Sequence, residues 1–171
     1  MHFSLRSLWL TFPLALLPLV NLQIGAARGM GETTIEILGL ALFGAVAEEL
    51  FFRSFLQNYL RGKCGGREIL SAFLVNILFA ASHVMNLFSY ATLAYAAVQT
   101  LCAFGVGFSL SAVYVRTGKI GICILIHLLI NLTGIFVGFR LSPIEAAVYA
   151  AVAFAYLAHG ILLFRKGRRY A

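Results

Sequence analysis

The stretch LGLALFGAVAEELFFRSFL, residues 38–56, decides the fold. It is as long as the roughly 20 apolar residues a helix needs to cross a bilayer core, yet it carries Glu48, Glu49 and Arg53. Each acid or base near the centre of a span costs about 2.5 to 3.5 kcal/mol on insertion, so three in one run need a reason. On a helix Glu49 and Arg53 lie four residues apart, share a face and neutralise one another, whereas Glu48 is turned away by about 100°. That leaves Glu48 without a local cation and free to address another helix, where a carboxylate can act as a base. The competing reading ends the helix near Ala47 and makes Glu48 to Arg53 an interfacial boundary. Phe51, Phe52, Phe55 and Leu56 speak against it, because they carry the apolar run well past the acids.

The rest of the chain agrees with a membrane protein. Of 171 residues, 61% are hydrophobic and only 11% charged, and mean hydropathy is +0.93. A soluble domain is about half apolar and a quarter charged. About six apolar stretches can be cut, near 7–27, 33–60, 69–88, 90–114, 120–139 and 144–164. Closed barrels also span membranes, but they need short alternating strands, and Ile120 to Val137 shows no alternation. The expected fold is therefore all-α, a polytopic bundle of about six transmembrane helices forming a single membrane domain over 1–171, with a motif-bearing core at about 33–139. Pro13 and Pro18 should kink the first helix, whose freed carbonyls neighbours must satisfy. That helix could instead be a cleaved signal peptide, since Arg6 precedes the apolar run and Gly25-Ala26-Ala27 resembles a cleavage site; retention as helix one is expected. Small residues predict close packing: Gly105, Gly107 and Gly121 near the fourth and fifth segments, and Ala147, Ala151, Ala155 and Ala158 in the sixth. No internal repeat is visible, which counts against an inverted-repeat transporter.

The net charge of +7 follows from topology rather than from a polyanionic partner. Alternating the six segments places Arg6, Arg61, Lys63, Arg67, Arg116, Lys119, Arg165, Lys166, Arg168 and Arg169 on one side and only Arg28 and Arg140 on the other. The positive-inside rule makes the crowded side cytoplasmic, so both termini are expected in the cytoplasm and no nucleic-acid partner is implied. The lipid bilayer is the expected environment, with weak attraction of the basic tail to anionic headgroups. All six acids are Glu, and Cys64, Cys102 and Cys123 lack pairing or C-x-x-C spacing, so neither a disulfide nor a zinc-thiolate site is expected.

Other polar residues interrupt the apolar segments. His83 follows Phe79 by four residues and Asn76 by seven, on one helix face; His127 and Asn131 repeat the four-residue spacing two segments later. Counting residues to the nearest cytoplasmic charge puts Glu48 about 20 Å, His83 about 22 Å, Asn131 about 18 Å and His127 about 12 Å deep. Three helices thus bring these groups to similar depth. Asn76 fits interhelical hydrogen bonding. His159, about 9 Å from Arg165, fits a residue snorkelling to the surface, and it is set aside with His2.

These residues resemble three motifs of one family. Glu48-Glu49-Leu50-Phe51-Phe52-Arg53 is similar to EExxxR, Phe79-Ala80-Ala81-Ser82-His83 to FxxxH, and His127-Leu128-Leu129-Ile130-Asn131 to HxxxN. The family is the CAAX protease and bacteriocin-processing group, the glutamate-type intramembrane endopeptidases also called Abi. Each motif alone is weak, but three in order on separate membrane helices are fairly specific. The resemblance implies that Glu48 and His83 bind and activate the hydrolytic water, that His127 and Asn131 form the oxyanion site, and that Glu49 with Arg53 supports the catalytic helix. It implies no cofactor. A short chain without the extra helices of eukaryotic CAAX endopeptidases puts prenylated substrates in doubt. In a bacterial inner membrane the expected partner is a membrane-embedded or lipid-associated peptide: a leader peptide, a bacteriocin-like precursor or a C-terminal sorting helix.

Three other readings compete. Glu48, His83 and His127 could be ligands of a catalytic zinc ion, though no HExxH is present. Intramembrane Glu and His residues also relay protons in transporters. The same family contains non-catalytic immunity or scaffold proteins.

Overall fold

The computed structural model describes residues 10–29, 33–88 and 92–165, so Arg6, His2 and the basic tail beyond Arg165 lie outside the described residues. The fold is an all-helical membrane bundle, and among the described residues its elements form six successive helical segments. A 3-10 turn, Phe12–Ala15, leads into α1, Leu16–Ala27. Helix α2 runs unbroken over 35–63, as α-helix Ile35–Glu49, a π-helical stretch Leu50–Gln57 and a final α-helical turn Asn58–Lys63. Then come α3, Glu68–Val84; α4, Leu93–Thr117; α5, Ile120–Gly134; and α6, Pro143–Arg165. By length and composition α4 and α6 can each cross a membrane, while 12–27, α3 and α5 are shorter apolar helices.

Local chemistry sets the ends. Thr34 and Thr92 cap α2 and α4 by accepting from the amides of Ile37 and Tyr95. Gly118, at φ +64°, ends α4 in the left-handed conformation that glycine adopts without a Cβ penalty, and only Lys119 separates it from α5. The sequence predicts an unbroken second helix, and α2 does continue past Glu48. Its widened π turns begin one residue after the two acids, the kind of irregularity that recurs at functional sites.

Packing is inside out relative to a soluble protein. Phe12, Ile35, Phe43, Phe88, Leu93 and Ile144 are all more than 70% exposed, whereas Glu49, Arg53, Asn76, Ser109 and Ser111 are fully buried. Such an apolar exterior suits lipid. Helix α4 is the hub, packed on α3 and α6, while α5 holds α1 and α2. Helices α4 and α6 meet where a Cβ on Gly105 would lie 2.4 Å from the Ala153 carbonyl oxygen and one on Gly160 2.7 Å from the Phe108 ring.

The alanine stripe expected to pack α6 does not do so. Ala147, Ala151, Ala155 and Ala158 are exposed, and the buried face is Tyr149, Val152, Ala153, Tyr156, Gly160 and Leu163. The spacing of the alanines is helical, but that face points away from α4. At Gly121 a Cβ would meet nothing within 4 Å, so this glycine likewise brings no helix close.

The prolines of the first helix act at its start. Pro13 sits in the 3-10 turn and Pro18 in the first turn of α1. Pro18 has no N–H to give the Leu14 carbonyl, and the Tyr156 hydroxyl donates to that oxygen at 3.0 Å while accepting from the Leu17 amide at 2.7 Å. One phenol from α6 thus satisfies two backbone groups left over by the proline turn.

His159 is not a free snorkelling group. Its Nδ1 lies 2.6 Å from the hydroxyl of fully buried Ser109, so it ties α6 to α4.

Candidate active site

Helix α2 delivers two carboxylates to one histidine. Glu49 is fully buried and its Oε1 lies 2.8 Å from His127 Nδ1. A carboxylate accepts, so Nδ1 carries the proton of this bond and the tautomer is fixed by its partner. The other ring nitrogen, Nε2, then faces Glu48, whose Oε2 is 3.7 Å away. The two acids differ sharply in environment: the Glu48 side chain is 37% exposed and the Glu49 side chain not at all.

Arg53 completes the cluster from one turn further along α2. Its Nε is 3.3 Å from Glu49 Oε2, and its guanidinium carbon stands 4.4 Å from the centre of the Phe79 ring. Among the described residues the Arg53 nitrogens have no well-formed hydrogen bond, so the ion pair and the aromatic face carry the cation. The expected pairing of Glu49 with Arg53 is present. The sequence does not reveal that the same carboxylate also orients His127, because the spacing of α2 says nothing about what α5 presents.

Phe79 joins the three motifs. Its ring meets His83 at 4.8 Å and His127 at 5.9 Å, both edge-on, besides lying under Arg53. His83 places its Nδ1 2.9 Å from the Phe79 carbonyl oxygen. Among the described residues no hydrogen bond joins His83 to Glu48; the partner of Glu48 is His127. Asn131 donates from Nδ2 to the Ala41 carbonyl at 3.3 Å, and a Cβ on Gly44 would sit 3.9 Å from both Asn131 Nδ2 and Glu48 Oε1. Gly44 therefore marks the place where Asn131 and Glu48 approach the same surface of α2. Asn76 donates to Ser111 Oγ at 2.8 Å and serves as interhelical glue, as expected.

His83, His127 and Asn131 open onto a cavity of about 420 Å³, within the range of small-ligand pockets. Most of its wall is aliphatic, and Glu48, 3.7 Å from His127, is not itself among the lining residues. The polar remainder comes from residues that sequence reasoning does not single out: Asn21, Tyr95, Gln99 and Tyr149. Tyr149 donates to Asn21 Oδ1 at 2.7 Å, and Asn21 Nδ2 donates to Thr133 Oγ1 at 3.1 Å, so α1, α5 and α6 are latched at the cavity. An amide such as Asn21 inside an apolar helix is the signal that could have found them. Among the described residues, no three His, Cys, Asp or Glu side chains converge as ligands of one metal ion.

The arrangement sets one imidazole between two carboxylates, Glu49 at 2.8 Å from its Nδ1 and Glu48 at 3.7 Å from its Nε2. Arg53, 3.3 Å from Glu49 Oε2, balances the charge of the buried carboxylate that holds His127. Comparison with known proteins comes down to the segment that carries this cluster. The family model described as Type II CAAX prenyl endopeptidase Rce1-like matches residues 31–133, which span α2 to α5 and hold all three motifs. No curated protein and no solved structure matches the chain.

Proposed function

Because the chain belongs to the Type II CAAX prenyl endopeptidase Rce1-like family, a family of membrane endopeptidases, we propose that it hydrolyses a peptide bond of a membrane-associated substrate with a water activated by Glu48. The observation that carries this reading is the asymmetry of the two acids. Glu49, buried and engaged by His127 and Arg53, is a positioning residue, whereas the Glu48 side chain is 37% exposed with one oxygen 3.7 Å from Nε2.

In this reading Glu48 takes a proton from water held between it and His83, and the water oxygen adds to the scissile carbonyl carbon. The carbonyl π electrons move to oxygen, and the resulting oxyanion is met by the Asn131 amide and by protonated Nε2 of His127. Collapse of the tetrahedral intermediate breaks the C–N bond, and the proton gained by Glu48 goes to the departing amine. Glu49 and Arg53 keep the His127 ring in the orientation that points Nε2 at the oxyanion. Water is the nucleophile in this reading, and the buried Cys102 and Cys123 thiols lie against the Tyr149 and Leu110 carbonyls.

A basic-residue split of ten to two supports cytoplasmic termini. Purified protein in proteoliposomes, mixed with leader-type and transmembrane peptides and read by mass spectrometry of new termini, tests the function. Wild type should generate new termini and Glu48→Gln, nearly isosteric but unable to act as a base, should not. Equal cleavage by a well-inserted Glu48→Gln would remove Glu48 from the chemistry. Loss of wild-type cleavage on chelation, with recovery on zinc, would instead favour a metal-dependent hydrolase.

A further inference from the structure

The cavity and the basic loops occupy opposite ends of the bundle. Ile37 lines the cavity from the first turn of α2, Tyr95 from the first turn of α4, Tyr149 from the second turn of α6 and His83 from the last turn of α3; Val137 and Leu141 line it from the α5–α6 connection. None of the lining residues comes from the α2–α3 connection or the α4–α5 turn, the two connections beside Arg61, Lys63, Arg67, Arg116 and Lys119.

Between cavity and basic loops lies a closed layer. Arg53, Asn76, Ser111, Leu110 and Val113 have no exposed surface and Gln57 has 1%. These side chains come from α2, α3 and α4, and they interlock closely: a Cβ on Gly107 would lie 2.2 Å from Asn76 Oδ1 and 2.9 Å from Arg53 Nη2. A layer packed to that degree leaves no passage for a peptide from the basic end.

At the opposite end, among the described residues, the polar contacts gather at the edge. Arg28, after α1, donates to the Val137 carbonyl, to the Arg140 carbonyl at 2.9 Å and to the Glu145 carboxylate at 2.6 Å. One of the two cations at this end is thus consumed by an acid of the same end, which deepens the charge asymmetry between the two faces. The basic end is the cytoplasmic one by the positive-inside rule.

We propose that the cavity opens on the extracytoplasmic face, so that the substrate is a neutral, apolar peptide segment presented from the outer half of the membrane, and the new terminus is released on that side. The proposal rests on the endopeptidase reading for its substrate class. It fits the lining, which among the described residues holds no Asp, Glu, Lys or Arg and offers amides and phenols for a peptide backbone. A charged side chain placed there would lose its hydration without finding a counter-ion.

Thiol accessibility tests this directly. Ile37→Cys and Leu141→Cys would each be placed in a chain carrying Cys102→Ala and Cys123→Ala, with native Cys64 retained as the reporter of the basic end. A membrane-impermeant sulfonated maleimide is applied to right-side-out spheroplasts and to inverted vesicles, and the labelled thiol is located by peptide mass. The cavity thiol should react in spheroplasts, where Cys64 stays silent, and the pattern should reverse in inverted vesicles. Reaction of the cavity thiol together with Cys64 from one side overturns the proposal, as does a cavity thiol silent from both sides. So does Cys64 labelled in spheroplasts, which would put the basic end outside. Labelling requires no hydrolysis and should be unchanged by Glu48→Gln. The expected pattern in a protein that cleaves no peptide would therefore sink the endopeptidase reading while leaving the direction of access standing.

Discussion

The two halves of the bundle use the same kinds of residue for opposite ends. In the layer toward the basic loops, Arg53, Gln57 and Asn76 are packed to zero or 1% exposure and several of their polar atoms have no hydrogen-bond partner among the described residues. Toward the other end, Asn21, Tyr149, His83 and Asn131 surround a cavity of about 420 Å³. A polar group in the first setting has only its neighbours, so its loss leaves an orphan at full desolvation cost. In the second, water or substrate can take the place of a lost partner. Glu49 and Glu48 are adjacent in sequence yet differ in the same way, with 0% and 37% side-chain exposure, and the proposed division of labour, Glu49 positioning and Glu48 acting as base, follows that difference.

The sharpest break of the comparison is at these two neighbours. Glu48→Gln should lower cleavage by about 10² to 10⁴, the usual worth of a general base, while the protein remains inserted and abundant. Arg53→Ala should behave in the opposite manner. It strands Glu49 as a buried anion, an effect of about 3 to 5 kcal/mol, and abundance in the membrane should fall with activity. Adding Glu49→Gln should recover abundance, because the amide carries no charge and can still accept from His127. Membrane-fraction immunoblots and thermal melts in detergent separate the two cases. Normal abundance and activity for Arg53→Ala would end the idea of a supporting pair.

Asn131→Ala probes the boundary between halves. Losing one oxyanion donor costs about 10² to 10³ in kcat, so slow residual cleavage should persist where Glu48→Gln shows less. Its melting temperature should change little, because the bond it forfeits is a 3.3 Å contact to the Ala41 carbonyl at the cavity wall. Cleavage at the wild-type rate would remove Asn131 from the oxyanion site.

How far sequence reaches into this picture follows from what periodicity can encode. The apolar run at 38–56 and the spacing of Glu49 and Arg53 live on one helix, so both the continuous α2 and its internal ion pair are legible. Depth counting sets Glu48 level with His83 and leaves His127 about 8 Å shallower, whereas in the fold it is His127 that stands 3.7 Å from Glu48. Rotation of one helix against another is not written in a single segment. The alanines of α6 have the right spacing and the wrong face, Glu49 serves His127 as well as Arg53, and His159 finds Ser109. Asn21, Gln99 and Tyr149 escape notice because they lie on three different segments, and only the fold shows that they border one space.

The smallest expected effects sharpen the comparison most cleanly, since they come from two tyrosines on one helix. Tyr156 is 1% exposed and its hydroxyl serves the Leu17 amide and the Leu14 carbonyl. Removing that oxygen in Tyr156→Phe keeps the ring and orphans both backbone groups at the proline turn, where no solvent reaches them. Each orphan costs about 1 to 3 kcal/mol in principle, although hydrogen bonds inside membranes average nearer 0.6 kcal/mol because the chain finds other partners. A loss of about 1 to 2 kcal/mol is the expected sum, read as a lowered melting temperature in detergent. Tyr149 lies seven residues earlier and donates to Asn21 Oδ1 at 2.7 Å, but it borders the cavity. Asn21 can turn to water once that phenol is gone, so Tyr149→Phe should cost less than Tyr156→Phe while changing substrate preference. Equal destabilisation by the two would mean that the cavity end is as dry as the packed layer, and the contrast between the halves would lose its physical basis.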